Sequence, residues 1–273
     1  QLLNFYWDKG ILFFRFNKFF DIFFTFIFCY NLIFLLLITI ESMKLFHGEI
    51  TENTVIIHEE EQQHISKVLR MKAGEEIFVT DGKGGLAKGK LFFEGKKILL
   101  QPDEIQTNLP KFPLQTHIAI APTKNIDRIE FFVEKATELG VSEITFLLTE
   151  KSERKNINIE KIRKQAISAS KQSLRFHFPV VNELTKFSDF VKGISAENTF
   201  VAHCDKAFER ANLSKIQPKD KITFLIGPEG DFSPKEIQLL AEKGIKAIAL
   251  GQQRLRTETA GIFVAAWAYN QYL

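Results

Sequence analysis

Residues 222–236 read Ile-Thr-Phe-Leu-Ile-Gly-Pro-Glu-Gly-Asp-Phe-Ser-Pro-Lys-Glu. The opening run, apolar except for one threonine, suits a strand buried on both faces. Gly227-Pro228-Glu229-Gly230 ends it, and Ser233-Pro234-Lys235-Glu236 carries a capping box with proline in the first helical turn. Strand, glycine-rich loop and helix start in this order describe part of a parallel α/β sheet, where ligands bind beyond the carboxyl ends of the strands. The two glycines allow a ligand to approach the backbone closely. A plain Gly-Pro turn fits the same spacing equally well. The Gly-Lys-Ser/Thr ending of a phosphate-binding loop is missing.

The same rhythm extends on both sides. Downstream, Ala247–Leu250 reads as a strand, and Gly251-Gln-Gln-Arg254-Leu255-Arg256-Thr257-Glu258-Thr259-Ala260 opens a final helix running from about Thr257 to Tyr272. An ordinary helix start needs one cap, not Arg256, Thr257, Glu258 and Thr259 together. An Arg256–Glu258 pair holding the loop shape is the structural alternative. Upstream, strands are predicted at His117–Ala121, Ile144–Leu148, Pro179–Val181 and Thr199–His203. Helices are predicted at Ile126–Leu139, closed by Gly140, and at Ile159–Ser173, with a helical turn at Lys186–Lys192. Alternating strands and helices predict a parallel sheet covered on both faces. His203-Cys204-Asp205 is a third strand end that could line a pocket.

Residues 43–105 have a different grain. Short runs at Lys44–Ile50, Thr54–Ile57, Glu76–Thr80, Leu86–Phe93 and Lys97–Gln101 read as strands of a small β-barrel. One helix, His64–Met71, points Ile65, Val68 and Leu69 inward. Gly82-x-Gly84 precedes another strand, so it reads as a hairpin turn and not a dinucleotide fingerprint. Pro110 and Pro113 mark residues 106–113 as the linker to the 114–273 domain.

Composition narrows the function. Net charge is only +3, so any nucleic-acid surface must come from local clusters. One cluster is Lys151–Arg175, which includes Arg163 and Lys164; a solvated helix face is the commoner meaning of such a run. Two cysteines exclude a disulfide framework, and no paired His/Cys spacing suggests a metal site. Residues 1–42 hold 11 of the 28 phenylalanines, and Ile22–Ile40 carries no charge, long enough to span a bilayer. Met43 is the first methionine, and the composition turns globular there, so residues 1–42 are read as an extension foreign to the folded protein, with no membrane anchor expected.

Several segments together resemble one family. They are His64-Ile-Ser-Lys-Val-Leu-Arg70, Lys124–Val141, Lys171-Gln-Ser-Leu-Arg175, Ile226–Ser233 and Leu250–Ala260. In that order and spacing, Met43–Leu273 resembles the bacterial ribosomal RNA small subunit methyltransferase E family, which methylates N3 of one uridine in 16S rRNA. Asp231 and Leu174 depart from it, standing where glycine and a small residue are usual. The resemblance implies a PUA-like barrel, a SPOUT-type methyltransferase domain whose C-terminal segment is threaded into a trefoil knot, and a cytoplasmic homodimer. It implies S-adenosylmethionine as cofactor, bound by His203, Ile226, Gly227, Pro228, Gly230, Leu250, Gly251, Leu255, Thr259 and Ala260. Under it, Glu229 or Glu258 accepts the N3 proton, Arg256 stabilises charge on the uracil, and Arg70, Lys124, Arg128 and Arg175 meet rRNA phosphate, with no metal. Arg163 and Lys164, in the basic window, are expected to attract phosphate as well. The alternative is a non-catalytic RNA- or ribosome-binding protein.

Overall fold

The computed structural model describes residues 7–8, 11–12, 43–51, 54–95, 97–205, 209–218 and 220–271. The reading of residues 1–42 as foreign lies almost wholly outside these. Within that stretch only strands β1 (Trp7–Asp8) and β2 (Ile11–Leu12) are described; they pair antiparallel. Among the described residues no helix is long and apolar enough to cross a membrane. Residues 45–273 form one compact unit.

The first part of that unit is a five-stranded curled sheet. β3 (Leu45–Ile50), β4 (Val55–Ile57), β5 (Glu76–Thr80), β6 (Leu86–Glu94) and β7 (Lys97–Gln106) lie in the order β4-β3-β5-β6-β7, and β4 meets β7 to bring the ends together. Alternate residues point inward, as a pleated strand requires. Phe46, Ile57, Ile77, Val79, Ala87, Leu91, Ile98 and Leu100 fill the interior. Gly89 is obligatory: a Cβ there would sit 2.0 Å from the Gln101 carbonyl oxygen, at a register shift between β6 and β7. β7 runs to Gln106, past the predicted strand end, because it stays paired with β6 throughout. Gln106 therefore belongs to the sheet and not to the linker.

The single predicted helix differs most. It begins earlier, as α1 (Glu59–Gln63), and continues as a π-helical turn over His64–Val68. Leu69 N–H donates to the His64 carbonyl, five residues back. The wider turn rotates the expected apolar face: Ile65 is fully buried, while Val68 and Leu69 are 67% and 46% exposed.

The second part is an all-parallel sheet. β8 (Gln115–Ile120), β9 (Glu143–Leu148), β10 (Val180–Val181), β12 (Thr199–Ala202), β13 (Ala211–Asn212), β14 (Lys221–Ile226) and β15 (Lys246–Ala249) lie in the order β10-β9-β8-β14-β12-β15-β13. The short β11 (Thr185–Lys186) also pairs with β9. β11 and β13 are two-residue strands with no periodic signal. β14 inserts between β8 and β12, and β15 between β12 and β13.

Strand alternation splits the core in two. Ile118, Ile120, Phe224 and Ile226 face α2 (Ile126–Glu138), α3 (Ile159–Gln172) and α6 (Thr257–Asn270). Ala119, Val201 and Leu225 face α4 (Phe187–Gly193) and α5 (Pro234–Glu242). Caps set the helix starts: Asn125 accepts from Asp127 N–H, Asn158 from Lys161 N–H, and Ser233 and Glu236 form the predicted capping box. Gly140, with φ 76°, closes α2 as predicted.

Candidate active site

The carboxyl ends of β12, β14 and β15 are neighbours in the sheet, so the loops leaving them meet. Between them lies a cavity of about 280 Å³. Its floor is apolar: Ala202, Ile226, Ile248, Leu250, Leu255 and Ala260. Its rim is charged: Arg210, Glu229, Asp231, Arg254 and Arg256. An apolar lining with a charged mouth suits a ligand that is apolar at one end and charged at the other.

Hydrogen bonds tie the three loops together. Thr257 Oγ1, buried at the start of α6, donates to the Gly227 carbonyl at 3.0 Å. Cys204 N–H donates to Asp231 Oδ2 at 2.8 Å. Arg210 donates to the His203 carbonyl at 3.0 Å, and Asp231 N–H to the Pro228 carbonyl at 2.9 Å. Gly227 is packed under the Phe232 ring, which a Cβ would meet at 3.1 Å. Gly251, with φ 151°, lies on the cavity wall with nothing within 4 Å of a Cβ position. The His203 imidazole is held below its usual pKa chiefly by burial.

Of the expected cofactor residues, His203, Ile226, Gly227, Pro228, Leu250, Gly251, Leu255 and Ala260 line this cavity. Gly230 and Thr259 do not. Gly230 faces the Lys151 alkyl chain, whose ammonium bonds the Gly230 and Phe232 carbonyls. Thr259 lies two residues beyond Thr257, more than half a helical turn round, and is exposed. Sequence reasoning missed Arg210, Asp231, Arg254 and Thr257. Thr257 and Asp231 sit inside the quoted motifs, but Arg210 lies in a stretch without periodicity.

Of the expected catalytic groups, Arg256 and Glu229 stand on the rim and Glu258 stands outside it. Glu229 Oε1 accepts from Lys124 N–H at 3.1 Å. Glu258 is buried, with Oε1 3.8 Å from Arg128 Nε, and its Oε2 has no hydrogen-bond partner among the described residues. No Arg256–Glu258 ion pair forms among the described residues; Arg128 on α2 takes that place.

The basic window is largely engaged within the protein. Arg154 donates to the Thr123 and Lys124 carbonyls. Arg163 pairs with Glu160 and Glu183, and Lys164 pairs with Glu60. Arg175 donates to the Glu138 carbonyl at 2.8 Å and lies over the rings of Phe112 and Tyr269. These three, expected to meet phosphate, thus have acidic, carbonyl or aromatic partners inside the fold. Lys124, whose side chain is 78% exposed, pairs with Glu153, and Arg70 sits exposed at φ 50°. Among the described residues no His/Cys/Asp/Glu cluster could hold a metal ion.

Two family models match the chain. One, an RNA methyltransferase domain, covers residues 110–269, and the other, an RNA methyltransferase PUA domain, covers 57–100. These two matches place the chain among the RNA methyltransferases. The ribosomal RNA small subunit methyltransferase E of Aquifex aeolicus is 30% identical over 239 residues, spanning 84% of this chain and 100% of that one. The Rickettsia conorii protein of that name is 29% identical, over 74% of this chain and 84% of its own. A crystal structure of the Neisseria gonorrhoeae enzyme bound to S-adenosyl methionine superposes with a TM-score of 0.74 at 26% identity, covering 84% of this chain and 98% of that one. The chain belongs to the ribosomal RNA small subunit methyltransferase E family.

Proposed function

We propose that this protein transfers a methyl group from S-adenosylmethionine to N3 of a uridine in 16S rRNA. The carrying observation is the single cavity where three strand-end loops converge, with Glu229 and Arg256 on its rim. The apolar floor suits the adenine, and the charged rim suits the amino-acid end of the cofactor. When bound, S-adenosylmethionine supplies an electrophilic methyl on its sulfonium. The protein's own contribution is positioning and charge. The uracil N3–H must lose its proton, and Glu229 is assigned as the acceptor. The Arg256 guanidinium stabilises the charge that develops on the uracil oxygen. Glu258 is assigned to positioning Arg128. N3 lies on the Watson–Crick edge, so the target base must be unpaired or turned out of its helix.

Arg70, Lys124 and Arg128 are the proposed phosphate contacts. The strand order, with β14 and β15 each inserted between strands laid down elsewhere in the chain, supports a threaded, knotted C-terminal segment. A homodimer is proposed through α2 and α6, which expose Phe131 and Phe263 at 50% and 43%. A 16S rRNA substrate puts the protein in the cytoplasm. The test is incubation with S-adenosylmethionine and small subunits from cells lacking the modification, followed by mass mapping of 16S rRNA. A single new N3-methyluridine is expected. Saturable RNA binding without heat on titration of S-adenosylmethionine would favour the non-catalytic reading and overturn this one.

A further inference from the structure

Asp231 holds a left-handed backbone, φ 62°, which a side chain with a Cβ adopts at a cost and which aspartate and asparagine tolerate best. Its carboxylate is engaged at both oxygens. Oδ1 accepts from Phe232 N–H at 2.8 Å, and Oδ2 accepts from Cys204 N–H at 2.8 Å. Its own N–H closes the turn onto the Pro228 carbonyl. One side chain therefore joins the loop leaving β14 to the loop leaving β12, and it does so at the cavity wall, where Asp231, Cys204 and His203 are neighbours. Glycine would adopt this φ without strain but would leave the Cys204 amide without that acceptor.

We propose that Asp231 is a positioning residue of the cofactor site: it clamps the Gly227–Phe232 loop to the His203–Cys204 turn and so holds the cavity in its binding shape before S-adenosylmethionine arrives. The proposal rests on the assignment of this cavity to S-adenosylmethionine. A preformed site lowers the ordering cost of binding, so losing the clamp acts on affinity and leaves turnover in the filled site alone. Charge-assisted amide bonds of this kind are worth roughly 10- to 100-fold in an equilibrium when lost.

The test uses the full chain with Asp231→Gly and Asp231→Asn, calorimetry with S-adenosylmethionine, steady-state methylation kinetics and thermal melts. Asp231→Gly is expected to raise Kd and KM for the cofactor about 10-fold or more, with kcat at saturating cofactor unchanged and the melting temperature near that of the parent. Asp231→Asn keeps one acceptor oxygen and tolerates the left-handed backbone, so it is expected to recover part of the affinity. A folded glycine variant with parental Kd overturns the clamp. So does a fall in kcat that saturating cofactor does not restore. Should the glycine variant not fold, the asparagine variant decides: raised KM supports the proposal and parental KM overturns it. Failure of the parent protein to bind S-adenosylmethionine refutes the cofactor assignment instead, whatever the variants do.

Discussion

Arg256 stands at the N-cap of α6 without a side-chain capping bond, exposed at the cavity mouth. A capping role is therefore not what it supplies. Arg256→Ala is expected to lower the single-turnover methylation rate by about 10²- to 10³-fold, the size seen when one preorganised donor is removed. Affinity for RNA should hardly change. Recovery of the rate at saturating cofactor would move Arg256 from chemistry to cofactor binding. His117 presents a different residue-scale effect. Its ring is buried beside Thr145 at 2.8 Å, and burial pushes its pKa down to about 4 from 6.5, against an opposing pull from Glu143. His47 is also lowered to about 4, chiefly by burial and then by His58. A histidine depressed in the fold binds its proton more readily when unfolded. Stability is thus fully present above pH 6.5 and is lost as pH falls towards 4, by at most about 1.4 kcal/mol per pH unit for one such group. Urea melts of the parent and of His117→Gln at pH 7 and pH 5 check this; an unaltered pH slope in the variant would sink the assignment to His117.

At the scale of elements, the pairing of α2 with α6 turns on one missing side chain. A Cβ on Gly261 would lie 2.6 Å from the Phe132 ring, with Ile120 next in line. Helix propensity alone predicts that Gly261→Ala stabilises by roughly 0.5–1 kcal/mol. Overpacking a full core costs about 1–3 kcal/mol. The second effect is larger, so Gly261→Ala is expected to lower the melting temperature; a rise would show that the helices have room. The capping box of α5 works in the other direction. Glu236 closes the box on Ser233 N–H and also accepts from Glu150 N–H in the turn after β9. Ser233→Ala should cost about 1 kcal/mol, the usual loss for a cap, measured by the same melts.

Across the whole molecule, barrel and methyltransferase domain are joined by contacts that engage two lysines of the basic window, Lys164 and Lys171. Gly84 N–H donates to the Phe176 carbonyl, and Phe178 N–H to the Gly82 carbonyl, so the β5–β6 hairpin docks on the chain after α3. Lys171 on α3 meets Glu61 on α1, both side chains mostly buried at 21% and 11% exposure. The neighbouring Lys164–Glu60 pair is open to solvent, at 61% and 72%. Exposed pairs contribute about 0–1 kcal/mol, whereas breaking a buried one strands a charge at a cost of roughly 3 kcal/mol. Lys171→Met is therefore expected to destabilise far more than Lys164→Met, and adding Glu61→Leu should restore much of the loss. Equal effects of the two single variants in urea denaturation would remove Lys171–Glu61 as the main domain clamp.

Local signals carried much of this architecture. The capping box at Ser233, the Gly140 stop and the apolar run before Gly227 each depend on neighbours a few residues apart, and each appears where the sequence puts it. So do the three strand ends that line the cavity, because an apolar run giving way to polar or glycine residues is a local event. What tertiary structure decided is everything that depends on which charges meet. The Lys151–Arg175 run looks like a phosphate surface in sequence, yet its partners Glu60, Glu61, Glu130 and Glu183 lie on other elements and come near only on folding. Glu258 and Arg256 are two residues apart in the chain, yet they do not pair, because Arg256 is the extended N-cap of α6 whereas Glu258 lies in its first turn, buried beside Arg128 on α2. The π-turn at His64 and the left-handed backbone at Asp231 follow the same rule. Their geometry is strained or rare when isolated, and long-range contacts across the fold decide whether it is kept.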